Sequence, residues 1–325
     1  MPSRRCTIRL TSLLIALFSL SISPAIFPVS ALGQTAKSAA VPATKPVAKS
    51  SATKPEFTPT RFSVVVEGSP TGPALLLLPG ISSSRAVFDA EAKLLAPKFR
   101  LYRVQLAGFA GEPAGPNASG PILTPVVDEL HRYIVANRLH PAVIGHSLGG
   151  LLALMLASQH PDDVSRTMVV ATLPFAGLVL SPTETIDAIR PITTQIHDQV
   201  LALTKTQFDS LQPAMAARLV TGVAARNLIA ASSIASDRAV YVNATQEDML
   251  TDLRPQLATI QTPVTVLFPY IAAVDGDYAP RIANLYADAY QSIPHLTLVE
   301  IEDSRHYIQY DQPAEFHNAV VNFLK

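Results

Sequence analysis

The chain has a single cysteine, Cys6, in 325 residues. That excludes an intramolecular disulfide, a zinc held by cysteines and a cysteine nucleophile in the body of the chain. It also lacks a surplus of either charge, with 25 Lys and Arg against 25 Asp and Glu. Neutralising phosphates needs an excess of cations, so a nucleic-acid binder is not expected. The balance is uneven along the chain. Residues 1–60 hold seven bases and one acid, Glu56, which leaves 18 bases against 24 acids from Arg61 onward. A folded part with a moderate negative charge favours solubility and argues against anionic membranes. Dinucleotide and phosphate-loop glycine patterns are missing, as is any run with metal-ligand spacing, so no cofactor and no metal is expected. What is present is a 48% hydrophobic, 15% charged composition. At roughly 150 residues per domain, that is one large α/β domain or two small ones.

Arg4, Arg5 and Arg9 precede an uncharged, mostly apolar stretch from Leu10 to Leu32, and small residues follow around Ala31-Leu32-Gly33. This is the pattern of a secretory signal peptide over residues 1–33, and it predicts a secreted or periplasmic protein. Pro24 and Pro28 interrupt the apolar run, which argues against an uncleaved anchor, and no cysteine stands at the cleavage region to carry a lipid. After cleavage no stable membrane association is expected. Residues 34–60 are Ala, Pro, Lys, Thr and Ser with few large apolar side chains. Such a segment cannot offset its ordering entropy and reads as a disordered linker.

From Arg61 to Lys325 short apolar strands alternate with amphipathic helices. Ala74–Leu78 is a wholly apolar run closed by Pro79-Gly80, as in a strand buried on both faces. Strands are also expected at 61–67, 99–106, 141–144, 167–173, 263–268 and 295–301. Helices are expected at 84–96, 122–138, 148–159, 278–291 and 314–324. This rhythm predicts a mostly parallel sheet with helices on both faces. It breaks at about 174–261, where apolar residues at Leu201, Leu203, Phe208, Leu211, Met215, Leu219 and Val220 point to several helices. An insertion there reads as a helical cap over the carboxyl edge of the sheet, where open α/β sheets bind ligands.

Gly145-His146-Ser147-Leu148-Gly149 lies between a predicted buried strand and a predicted buried helix. A strand turning directly into a helix holds its central residue in a strained conformation, and a side chain two positions away on either side would clash. The turn lifts the Ser147 hydroxyl above the sheet and aims the Leu148 N–H at the oxygen of a tetrahedral intermediate.

With this elbow in its strand-and-helix context, the chain from Arg61 to Lys325 resembles the α/β-hydrolase fold family. The resemblance makes Leu77-Leu78-Pro79-Gly80 the segment before the second oxyanion donor, the Ile81 N–H. Gln105-Leu106-Ala107-Gly108-Phe109-Ala110-Gly111 is similar to the loop at the mouth of the site. His306, after the last predicted strand and before Asp311-Gln312-Pro313, resembles the family's base, and the order of Ser before His fits the family. His146 reads as a packed neighbour of the nucleophile. His131, His140, His160, His197, His295 and His317 fall on predicted helices or turns away from the strand ends. The acid departs from the pattern. The usual place, counted from Pro263, is Ile271, and the alternative is Ala171-Thr172. Asp275 and then Asp277 are the nearest candidates, with Asp303 a third.

The resemblance implies an exported serine hydrolase that cleaves carboxylic esters, carboxylesterase-like, through an acyl-enzyme on Ser147. The expected substrate is a small-molecule ester with an apolar part. Two other readings stay open: a catalytically impaired hydrolase-fold binding protein, and a cofactor-free perhydrolase or amidase on the same residues. Dehalogenation is disfavoured, because it needs a carboxylate where Ser147 stands.

Overall fold

The computed structural model describes residues 57–180, 183–271 and 279–325, apart from the side chains of Ala279 and Pro280. The expected signal peptide and residues 34–56 of the expected linker lie outside the described residues. The last four linker positions are tied to the fold. The Arg132 guanidinium lies 4.9 Å from the centre of the Phe57 ring. Thr60 donates its N–H and hydroxyl to the buried Glu129 carboxylate at 2.8 and 2.7 Å.

The sheet has seven strands: β1 (Phe62–Gly68), β2 (Ala74–Leu78), β3 (Arg100–Leu106), β4 (Ala142–His146), β5 (Arg166–Val170), β6 (Val264–Pro269) and β7 (Leu296–Ile301). Their order across the sheet is β1-β3-β2-β4-β5-β6-β7. Only β1 runs antiparallel to its neighbour; the other pairings are parallel. This is the mostly parallel sheet that the alternation of strands and helices predicts.

Parallel strands joined by helices are covered on both faces, so the central strands can be apolar throughout. β2 shows this directly. Leu76 and Leu78 enter one core with Val126, Leu130 and Leu152. Leu75 and Leu77 enter the opposite core with Phe88, Leu95, Phe316 and Val320. Among the described residues the α-helices longer than one turn are α1 (Asp89–Leu95), α2 (Leu123–Ala136), α3 (Leu148–Gln159), α4 (Ile186–Ala202), α5 (Lys205–Leu219), α6 (Val223–Ala235), α7 (Arg238–Leu250), α8 (Ala279–Tyr290) and α9 (Pro313–Phe323). α3 is buried from Leu148 to Ala157, as an apolar helix against the middle of a sheet must be.

Two boundaries differ from expectation for local reasons. The helix expected from Ser84 opens as a 3-10 turn, Arg85–Phe88, because the Ser84 hydroxyl accepts the Ala86 N–H at 3.2 Å. β5 ends at Val170 rather than 173, because Ala171 takes a left-handed φ of 53° that no ladder tolerates. Between β5 and β6 stand α4 to α7. Phe208, Ala216 and Val220 are buried there, whereas Leu201 is left exposed. Among the described residues no helix is long and apolar enough to cross a membrane.

Candidate active site

β4 and α3 meet at Ser147 with no intervening residue. Ser147 has φ 54° and ψ −125°, a conformation that costs a non-glycine residue on the order of 1–3 kcal/mol. The surroundings hold it there. Its N–H donates to the Val170 carbonyl at 2.9 Å, and its own carbonyl accepts from Gly150 N–H at 2.7 Å. The Thr172 hydroxyl donates to the same carbonyl at 2.8 Å. The flanking glycines are a steric necessity. A Cβ on Gly145 would lie 2.1 Å from the Gly149 carbonyl oxygen, and one on Gly149 would lie 2.1 Å from that of Leu78. The strain therefore sits at the one side chain the turn presents to the carboxyl edge of the sheet.

Two backbone donors lie beside it. Leu148 is the first residue of α3, so its N–H has no partner within the helix, and the positive end of the helix dipole adds to its pull on an anion. On the other side, the segment after β2 packs against the elbow; a Cβ on Gly80 would come within 2.9 Å of Ser147 Cβ. Ile81 follows and lines the same cavity as Ser147. The loop is pinned from three directions. The buried Gln105 side chain donates to the Ser83 carbonyl at 3.1 Å and accepts the Arg85 N–H at 2.7 Å. The Ser83 and Tyr307 hydroxyls meet at 3.0 Å. Ser82 meets Ser233 of α6 at 2.7 Å.

His306 reaches this place from the loop after β7. Asp311 closes that loop, its carboxylate accepting the Arg305 N–H at 2.9 Å and the Thr221 N–H and hydroxyl at 2.8 and 2.6 Å. His306 and His146 lie with ring centres 4.8 Å apart. Burial pushes the His306 imidazole down to about 4, so at neutral pH it is an uncharged base. His146 is buried, with Nε2 at 3.0 Å from the His306 carbonyl. Burial first, and the neighbouring His306 second, push it down to about 3. His146 is thus a packed neighbour, as its place in the motif predicts.

Ser147, His306 and Ile81 line one cavity of about 740 Å³, walled on the far side by α5, α6 and α7. Asp275 and Asp277 lie outside the described residues. Ile271, at the usual position of the acid, lines the cavity. At the alternative position, Thr172 holds the Ser147 carbonyl. Asp303 is exposed and none of the described residues hydrogen-bonds its side chain, so the structure does not bring it to His306. Gln105, Thr172 and Asp311 were missed as site-forming residues. The signal for Gln105 was an amide between two apolar residues, Val104 and Leu106, at the end of a strand, whereas Thr172 and Asp311 show nothing distinctive in one dimension.

Among the described residues one group has metal-ligating chemistry that sequence spacing did not reveal. His131, His160 and Asp163 place their ligand atoms within 4.8 Å of one another. The two rings stack at 3.8 Å with an angle of 10° between planes, so their lone pairs run parallel instead of converging on a point. His131 Nδ1 is already paired with Asp163 at 2.7 Å. The arrangement is a histidine–carboxylate pair under a stacked ring.

The family model described as alpha/beta hydrolase family matches residues 75–319. The sn-1-specific diacylglycerol lipase ABHD11 of Mus musculus is 24% identical over 273 residues, 80% of this chain and 83% of that protein. The pimeloyl-[acyl-carrier protein] methyl ester esterase of Edwardsiella ictaluri is 32% identical over 216 residues, 65% of this chain and 78% of that protein. Among solved structures, the enol-lactonase of Burkholderia xenovorans superposes with a TM-score of 0.65 at 18% identity. It covers 81% of this chain and 96% of the lactonase.

Proposed function

Because the chain belongs to the alpha/beta hydrolase family, we propose that it is an exported serine hydrolase that cleaves carboxylic esters through an acyl-enzyme on Ser147. The observation that carries this reading is the strained Ser147, held on the wall of a cavity it shares with His306 and Ile81. Ser147 Oγ attacks the ester carbonyl carbon while His306 takes the hydroxyl proton. The carbonyl oxygen becomes an oxyanion held by the Ile81 and Leu148 N–H groups; removing one such donor typically costs about 10²–10³ in kcat. Collapse breaks the C–O bond, and His306 returns the proton to the departing alcohol. Water, deprotonated by His306, then releases the acid. Asp275 or Asp277 orients the imidazole and offsets its positive charge in the transition state.

The names of the relatives support an ester substrate, since one is called a lipase and the other an esterase. The apolar walls of the cavity, with Leu173, Val179 and Met249, suit an apolar acyl or alkyl part. Export rests on the Arg-led apolar start of the chain.

A fluorophosphonate probe tests the nucleophile. Labelling of wild type and none of a folded Ser147→Ala variant is the expected result; equal labelling of both overturns it. Asp275→Asn and Asp277→Asn then separate turnover from a binding protein without it. On the ester-hydrolase reading, one of them lowers p-nitrophenyl ester turnover by about 10² or more. Parent and both variants at the same near-background rate would place the chain among the binding proteins.

A further inference from the structure

α7 turns Tyr241, Thr245 and Asp248 toward the cavity that holds Ser147 and His306. The spacing of i, i+4 and i+7 puts these three on one face of the helix. Neighbouring acids of α7 have different fates. Glu247 accepts the Ile122 and Leu123 N–H groups at 2.8 and 2.9 Å and so caps the start of α2. Asp248 caps nothing, and none of the described residues donates a hydrogen bond to its carboxyl. Three donors on the same walls are committed elsewhere: the Thr245 hydroxyl to the Tyr241 carbonyl at 2.7 Å, the Gln212 amide to the Phe208 carbonyl at 3.0 Å, and the Arg305 guanidinium to the Ala217 carbonyl.

Asp248 is half-buried, and its carboxyl is left to meet water or a ligand in the cavity instead of a protein donor; partial loss of solvent without a partner still carries a cost. Burial alone raises the Asp248 carboxyl to about 7. The fold keeps this cost on the wall of the cavity where the substrate must lie. We propose that Asp248 is the recognition point for a cationic group, a primary or quaternary ammonium, carried by the substrate on the part held against α7. The inference rests on the ester-hydrolase reading of the site and narrows its substrate class. A cation answers the observation better than a neutral donor does. Any donor to an ionised carboxylate makes a charge-assisted hydrogen bond, but a cation adds a Coulomb attraction that also holds the half-buried carboxyl in its ionised form. The rings of Tyr241 and Tyr286 on the same walls add faces that attract an ammonium.

Binding to the Ser147→Ala protein tests this without depending on turnover. Hexylammonium and 1-hexanol, titrated by calorimetry, present the same chain with and without the charge. Hexylammonium should bind about tenfold tighter or more, and Asp248→Asn in the same background should abolish that margin while leaving 1-hexanol within about threefold. Equal affinities for the two probes, loss of both by one factor, or loss of 1-hexanol alone each overturns the proposal. Because Asp248→Leu removes a half-buried carboxyl that no described residue hydrogen-bonds, it should melt no lower than the parent and also lose the hexylammonium margin, which separates recognition from misfolding. In the wild-type background, Asp248→Asn should lower the ratio of kcat/KM for p-nitrophenyl 6-aminohexanoate over p-nitrophenyl hexanoate by about tenfold. Failure of the hydrolase reading shows separately, as absent fluorophosphonate labelling of Ser147.

Discussion

His146 Nε2 donates to the carbonyl oxygen of His306 at 3.0 Å, joining the residue before the elbow serine to the loop that carries the other imidazole. The acceptor is a carbonyl, so Nε2 must bear the proton, and Nδ1 is left buried without a hydrogen-bond partner among the described residues. The two segments are 160 residues apart in the chain, and this contact ties the backbone of His306 to the residue beside Ser147.

Replacing the donor while keeping a ring tests that role. His146→Phe should lower kcat for a p-nitrophenyl ester by about 10- to 100-fold, as a misplacement near 1 Å does, with KM little changed. His146→Gln, which can still donate, should recover part of the loss. Equal kcat in wild type and His146→Phe would show that the bond does not position His306.

Gly149→Ala puts a methyl group 2.1 Å from the Leu78 carbonyl oxygen. Neither partner can yield, because one opens α3 and the other ends β2. Expected is loss of soluble protein, or a folded protein with Tm lower by about 5 °C or more and kcat reduced at least about 10²-fold. Wild-type kinetics from this variant would remove the steric basis of the elbow.

The depressed His306 pKa has a sign that a pH profile reads. In the proposed mechanism the neutral imidazole is the working form, so kcat/KM should stay level from neutral pH down to pH 5 and fall below about pH 4. An unperturbed histidine would bend the profile near pH 6.5. Stability runs the same way. The unfolded chain binds protons on these two imidazoles at higher pH than the folded one, so stability declines as pH falls from about 6.5 toward the folded values. Rates must therefore be taken alongside a melt at each pH.

Asp311 holds the His306 loop to the start of the α5–α6 connection through three accepted hydrogen bonds. Asp311→Ala leaves the Arg305 and Thr221 donors unpaired and should cost about 1.5–3 kcal/mol of stability by denaturant titration. Its effect on kcat should exceed its effect on KM, because the loop carries His306, the base in the proposed mechanism. A stability change below about 0.5 kcal/mol would show that water replaces the carboxylate at no cost.

The sheet was legible because its strands are short apolar runs whose neighbours in sequence are helices of matching length. Leu75–Leu78 could be nothing but a strand covered on both sides. The elbow was legible for a similar reason: two glycines flanking one serine between a strand and a helix leave little else for the backbone to do. The hydrogen-bonded supports were not legible. Gln105, Thr172 and Asp311 each act on at least one group 20 to 90 residues away, and a polar side chain carries no mark of the partner it will meet.

Periodicity and the covalent rules of the backbone decided the order of elements, the parallel sheet and the strained turn at Ser147, since these depend on residues within a few positions of one another. Which histidine lines the cavity with that serine, what pins the loop under Ile81, and where a carboxyl such as Asp248 faces were decided only when distant segments packed together. Burial and partner geometry are properties of the assembled molecule, and they set both the charge of a titratable group and the atoms it can reach.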